Sequence, residues 1–231
     1  MWDITVGGSA TAGDNSQSAV ERELRCDINI AHTPASVHSV SRSLIINPRL
    51  EQCNMDIILE TSRLTIRHFR ESDIDALYEI MKKPEVMYAW EHGFTEDEVQ
   101  DWISNQQARY QKDEYGYFAV ISKKSGKLIG QAGLLKSELG GENILEVGYI
   151  FDDSIWGQGY AIEAARACAD LAFNRFGVNK LFATIRPENE ASVKVALKLG
   201  MRKTGTYAKI YQDKEMPHDI YMIDKKRYDD E

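Results

Sequence analysis

Three strand-like runs follow one another at residues 116–123, 128–136 and 144–151, with Gly126 and Gly140-Gly141 marking the turns between them. Turns this short cannot hold a parallel crossover, so the three runs must pair as an antiparallel meander. After residue 151 the pattern changes to a glycine-bearing turn, a helix over about 159–176, a strand at 181–185 and a helix over about 189–199. Strand, helix, strand in that order reads as a single crossover. The chain is thereby committed to a mixed sheet with helices on its faces.

The flanking segments extend the same plan. Arg63-Leu64-Thr65-Ile66-Arg67-His68-Phe69 alternates as a half-buried strand does. Ser72-Asp73-Ile74-Asp75 reads as a helix start with a hydroxyl cap, after which Ile74, Leu77, Tyr78 and Met81 recur at helical spacing until Pro84. Thr95-Glu96-Asp97-Glu98 is a second capping box, leading into a helix with Val99, Trp102, Ile103 and Gln106 on its inner face. Gly177 and Gly200 stand where helix ends want a left-handed residue. The tail, 202–225, offers two more strands carrying Tyr207, Tyr211 and Tyr221. Before Met55 the character differs, because residues 31–54 mix Ser, Thr, Pro, Asn and His with few periodic apolar positions. The expected organisation is an irregular extension over 1–54 and one domain over 55–231. The domain is of the α+β class, a mostly antiparallel sheet of six to seven strands with helices on both faces.

Charge and cysteine content narrow the function classes. The net charge is −8 with no Lys/Arg stripe, which argues against a partner held through nucleic-acid phosphates. An acidic surface mildly favours cationic acceptors such as amines, though solubility explains it equally well. Cys26, Cys53 and Cys168 show no metal-ligand spacing, so no metal site is expected, and a sparse odd count suits a reduced, intracellular protein. Cys168 falls on the apolar side of its helix, a core position. No apolar run approaches the roughly 18 residues a membrane span needs, and no signal peptide opens the chain. A cytoplasmic protein without membrane contact is expected, and a homodimer is compatible with all of this.

The chemistry concentrates in Trp156-Gly157-Gln158-Gly159-Tyr160-Ala161, between a strand and the long helix. Glycines there let backbone N–H groups converge at a helix start, where the partial positive charge suits a pyrophosphate. Ile162 stands where a dinucleotide fingerprint needs its third glycine, and no P-loop lysine follows.

Residues 146–202 carry Glu-Val-Gly-Tyr-Ile-Phe-Asp-Asp-Ser-Ile-Trp-Gly-Gln-Gly-Tyr-Ala-Ile-Glu-Ala, then Arg-Pro-Glu-Asn-Glu-Ala-Ser-Val, then Lys-Leu-Gly-Met-Arg. This stretch resembles the acetyl-CoA-binding half of GNAT acetyltransferases, and most of all the branch with the ribosomal-protein N-terminal acetyltransferases. The element order over 61–225 fits the same fold. The family motif is Gln/Arg-x-x-Gly-x-Gly/Ala, where Trp156 stands in the first position and Gly159 and Ala161 match the others. The resemblance implies that amides from Gly157 to Ala161, including those of Gln158 and Tyr160, bind the pyrophosphate of acetyl-CoA. It implies that the strand end Tyr149-Ile150-Phe151 pairs with the pantetheine arm. Asn189 and Ser192 match the family's Asn-x-x-Ser/Ala near the pantetheine and sulfur, although Asn189 also reads simply as a helix cap.

The implied reaction is direct attack of an amine, on a protein N-terminus or a small molecule, upon the acetyl thioester. Glu146 is the candidate base, on the same strand face as Gly148 and Ile150; the alternative is an exposed or ion-paired strand acid. Where many relatives carry a tyrosine acid, seven residues after the Asn, this chain has Ala196, so Ser192 or water takes that role. Acceptor choice is expected to rest with the first two helices, Trp90-Glu91-His92-Gly93-Phe94, and the tail around His218 and Tyr221. Residues 2–30 resemble a Nudix box, with Gly8, Arg22, Glu23 and Leu24 in register. Asp14 replaces its first Glu, Cys26 and Asp27 replace its Glu-Glu pair, and Asn29 replaces its last Gly, so it reads as non-functional. Two alternatives stand beside the transferase: a non-catalytic acyl-CoA-binding module and a Nudix-type hydrolase.

Overall fold

A computed structural model describes residues 57–211 and 214–230. The meander is β3 (Tyr117–Ser122), β4 (Leu128–Leu139) and β5 (Glu142–Phe151), antiparallel throughout. On the β3 side the sheet continues antiparallel through β2 (Leu64–Arg67) to β1 (Ile57–Glu60). On the other side β6 (Lys180–Ile185) runs parallel to β5, and β8 (Lys214–Asp224) and β7 (Arg202–Tyr211) follow in antiparallel pairing. The order is β1-β2-β3-β4-β5-β6-β8-β7. The described sheet therefore has eight strands, not six or seven. The additional strand is β1, which turns at Thr61: its N–H donates to the Leu64 carbonyl at 2.9 Å, and its hydroxyl accepts from the Leu64 N–H at 2.9 Å.

Among the described residues five α-helices accompany the sheet: α1 (Ile74–Met81), α2 (Glu96–Asp113), α3 (Tyr160–Asp170), α4 (Glu190–Lys198) and the short α5 (Lys225–Asp229). Thr95 caps α2 as its sequence predicts, with a reciprocal bond from its own N–H to the Glu98 carboxylate. Before α1 the cap differs from expectation. Asp73, not Ser72, stands at the N-cap position, and no side chain caps the helix: the Asp73 carboxylate instead closes the 3-10 turn Glu71–Asp73 by accepting from the Arg70 N–H at 2.8 Å, and it accepts from both terminal nitrogens of Arg67 at 2.7 and 2.8 Å. A buried, bidentate guanidinium partner thus takes up the carboxylate that could otherwise have capped α1.

The inner face of α2 buries Val99, Ile103 and Gln106, as the spacing predicts, and Tyr110 besides. Trp102 is only half buried, and its indole N–H donates to Gln131 on β4 at 2.8 Å. The small residues Ala164, Ala165, Ala167, Cys168 and Ala169 let α3 lie close along β4 and β5. Cys168 is core, and burial pushes its thiol up to about 12. A π-helical turn, Leu171–Arg175, carries the helix on towards Gly177, whose φ of +65° ends it. Among the described residues no helix is long and apolar enough to cross a membrane. The Nudix-like stretch and the boundary near Met55 lie outside the described residues.

Candidate functional site

A cleft of about 640 Å³ opens where β5 and β6 part. The two strands are in register at Glu146 and Phe182, and beyond that point β5 runs along the cleft as Val147–Phe151 while the end of β6 forms the opposite wall. A strand that loses its neighbour leaves backbone donors and acceptors facing the gap. Tyr149, Ile150 and Phe151 all line it, as do Asn189 and Ser192 at the start of α4 and Gly157, Gly159, Tyr160 and Ala161 at the start of α3. The structure thus brings these residues and Trp156 to one cleft, whereas Glu146 and Gln158 are not part of its lining.

The turn before α3 has the backbone its glycines suggested. Gly157 and Gly159 take φ of +77° and +80°, the left-handed region. The first helical bond of α3 runs from the Glu163 N–H to the Gly159 carbonyl at 3.2 Å, so the amides of Tyr160, Ala161 and Ile162 have no intrahelical acceptor. Gln158 departs from the expected pattern. Its N–H turns back to the Ile155 carbonyl at 3.4 Å, and its carbonyl accepts from Arg63 Nη1 at 2.9 Å. Trp156 is half exposed, and its indole N–H donates to the Phe151 carbonyl at 2.9 Å, fixing the turn to the end of β5.

Asn189 caps α4 through a 2.9 Å bond from the Ser192 N–H, and it lines the cleft as well. The Ser192 carbonyl accepts from the Tyr149 hydroxyl at 3.0 Å, joining α4 to β5. Burial raises the Tyr149 pKa well above its ordinary value, keeping the phenol protonated. Ala196 is buried and carries no acid.

Glu146 is buried on β5. Its Oε2 accepts from the Thr184 hydroxyl at 2.6 Å and the Thr184 N–H at 3.2 Å, while Oε1 is buried without a hydrogen-bond partner in the protein. On the same face Gly148 makes room for the Tyr117 side chain, since a Cβ at 148 would fall on the Tyr117 hydroxyl.

Of the residues expected near the acceptor, Trp90 and His218 reach the cleft, whereas Tyr221 is buried in the core and His92 stacks on Phe94 and bonds to Glu98 at 3.1 Å. His218 Nδ1 lies 3.0 Å from the Met216 carbonyl, which can only accept, so Nδ1 carries the proton and Nε2 is the basic nitrogen. Burial lowers the His218 pKa, with the Lys209 and Arg186 charges adding to the effect, and the Met216 bond and Glu146 opposing it. Tyr88 was not singled out by sequence. Its hydroxyl is buried in the same wall, and burial, with Glu188 adding, pushes its pKa up to about 12; the Arg186 guanidinium, 5.6 Å from its ring, pulls the other way. Asn189 also opposes that rise, although its side chain does not reach hydrogen-bonding geometry with the phenol. Tyr88 sits in a short 3-10 turn without periodicity, so no sequence pattern exposes it. Among the described residues no cluster of His, Cys, Asp and Glu could hold a metal ion.

Residues 63–202 match the family model described as Acetyltransferase (GNAT) domain. An uncharacterised N-acetyltransferase of Bacillus subtilis, YnaD, is 34% identical over 152 residues, covering 65% of this chain and 86% of the relative. The crystal structure of a GNAT-family acetyltransferase from Bacillus anthracis superimposes with a TM-score of 0.62 at 28% identity, over 74% of this chain and 98% of that one. A ribosomal L7/L12 alpha-N-protein acetyltransferase in complex with coenzyme A shares the fold, with a TM-score of 0.60 at 17% identity, over 73% of this chain and 97% of that one.

Proposed function

The chain belongs to the GNAT acetyltransferase family, and from that premise we propose that it transfers an acetyl group from acetyl-CoA to a primary amine in a ternary complex. The observation that carries this reading is the parting of β5 from β6 beside a turn whose two glycines are both left-handed. That combination suits a long, thin ligand with an anionic end. The amides of Gly157, Gly159, Tyr160 and Ala161 would hold the diphosphate, and the free edge of Tyr149–Phe151 would pair with the pantetheine amides. A strand amide on that edge would polarise the thioester carbonyl. When bound, acetyl-CoA supplies an electrophilic carbonyl with a good leaving group.

The remaining work falls to side chains. An amine arrives protonated, with a pKa near 10 for a lysine-like group and nearer 8 for an α-amine. Glu146 accepts that proton, directly or through water, at Oε1, the oxygen that Thr184 leaves unbonded. Thr184 holds the carboxylate in one orientation. Ser192 or a water returns a proton to the thiolate. We assign the activity to residues 55–231 and none to the Nudix-like stretch. Sparse cysteines support a reducing, cytoplasmic setting. The test is a panel of amines, including peptides with free N-termini, polyamines and aminoglycosides, assayed for CoA release with acetyl-CoA. Turnover with at least one class is expected. Tight CoA binding without turnover on any of them would make the chain a binding module instead.

A further inference from the structure

A hundred residues separate Arg63 from Glu163, yet the β1–β2 turn and the first turn of α3 are bound together at this pair. Glu163 receives four donors from the turn: the Thr61 hydroxyl at 2.5 Å, the Ser62 hydroxyl at 3.1 Å, the Arg63 N–H at 3.0 Å and Arg63 Nε at 2.5 Å. Burial works to raise the Glu163 pKa, but the bonds from Thr61, Arg63 and Ser62 outweigh it and hold the carboxyl below its ordinary value. The rest of the guanidinium reaches further. It lies 4.4 Å from the centre of the Tyr160 ring, Nη1 donates to the Gln158 carbonyl at 2.9 Å, and Nη2 lies 3.4 Å from where a Cβ on Gly159 would stand.

The bond to Gln158 determines where the next amide points. In a trans peptide the C=O and the following N–H are antiparallel. With the Gln158 carbonyl drawn back to Arg63, the Gly159 N–H is aimed away from the β1–β2 turn. Gly159 lines the cleft on that other side.

We propose that Arg63 is a positioning residue for the diphosphate of the acyl carrier: it aims the Gly159 N–H and sets the mouth of α3, with Glu163 as its anchor. The proposal rests on the reading of this turn as the diphosphate site. Lysine cannot replace it, because bonds to Glu163 and Gln158 are made at once by different edges of a rigid fork. Loss of the guanidinium also leaves the Glu163 charge uncompensated at a site meant for an anion.

Three ligands separate the outcomes in a calorimetric titration of the full chain: CoA, dephospho-CoA, which keeps the diphosphate, and pantetheine, which has no phosphate. Arg63→Met keeps an unbranched apolar stem and removes the fork, together with its contact over the Tyr160 ring. It is expected to weaken CoA and dephospho-CoA by about tenfold or more, and pantetheine by less than about twofold. Arg63→Lys is expected to show most of the same loss. Equal weakening of all three ligands, or none, overturns the proposal, as does full rescue by Lys, which would leave only a charge effect. Thermal midpoints of both variants show that each is folded, and the Lys variant alone suffices if the Met variant is not. If the unaltered chain binds CoA no better than pantetheine, the diphosphate site itself is wrong, a failure distinct from that of Arg63.

Discussion

Glu146→Gln should separate stability from turnover. The substitution keeps the side-chain shape and removes its charge. Hydrogen bonds to a charged acceptor contribute about 1.5–3 kcal/mol each and neutral ones about 1 kcal/mol, so the two Thr184 bonds weaken by about 1–4 kcal/mol together. In return, the penalty on Oε1, an anionic oxygen buried without a partner, is relieved by a similar amount. The two nearly cancel, leaving a net change within about 1 kcal/mol, or about 2–4 °C in thermal midpoint. Nothing offsets the chemical loss. An amide cannot take a proton from an ammonium ion, so kcat should fall by roughly 10²–10⁴, about 3–5 kcal/mol in barrier height. Steady-state kinetics with saturating acetyl-CoA, CoA calorimetry and a thermal scan read the three quantities separately. Unaltered turnover in a folded variant refutes the assignment of Glu146, and an equal loss of CoA affinity makes it a structural acid.

Gly159→Ala puts a Cβ at φ +80°, costing about 1–2 kcal/mol, and should weaken CoA by about tenfold, whereas Gly126→Ala, also left-handed but in an open turn that does not line the cleft, should cost similar stability and leave CoA binding unchanged. Equal affinity in the two variants would count against the turn. Burial keeps the His218 pKa below 6.5, so its neutral form stabilises the fold fully above that value and progressively less as pH falls through the folded pKa. Urea midpoints at pH 7.5 and 5.5 should therefore fall more for the unaltered chain than for His218→Asn; parallel loss contradicts this. A chain beginning at Met55 should keep acetyltransferase activity in the amine panel, and complete loss would show that the extension is required.

Local patterns carried the meander, the crossover and the Thr95 cap, because each depends on residues a few positions apart. The glycine turn was legible for the same reason: Gly157 and Gly159 lie next to the helix whose amides they expose. Glu146 was legible as a face, through its alternation with Gly148, but not as a geometry, since Thr184 comes from a strand beyond the crossover. The expected hydroxyl cap of α1 is absent because the helix starts after Asp73, whose carboxylate is held by Arg67 from β2, a partner that no local pattern around Ser72 reveals. Strand β1 has four residues and no alternation strong enough to separate it from β2. Arg63 looked like an ordinary strand residue, and its clasp on Glu163 exists only once the sheet and α3 are assembled.

Amide chemical shifts bear most directly on how the carrier is held. In a ¹⁵N-labelled chain, the signals of Gly157, Gly159, Tyr160 and Ala161 should move on addition of CoA and stay in place with pantetheine, while those of Tyr149–Phe151 respond to both. If CoA binds and the four helix-mouth amides do not move, the diphosphate lies elsewhere and the account fails.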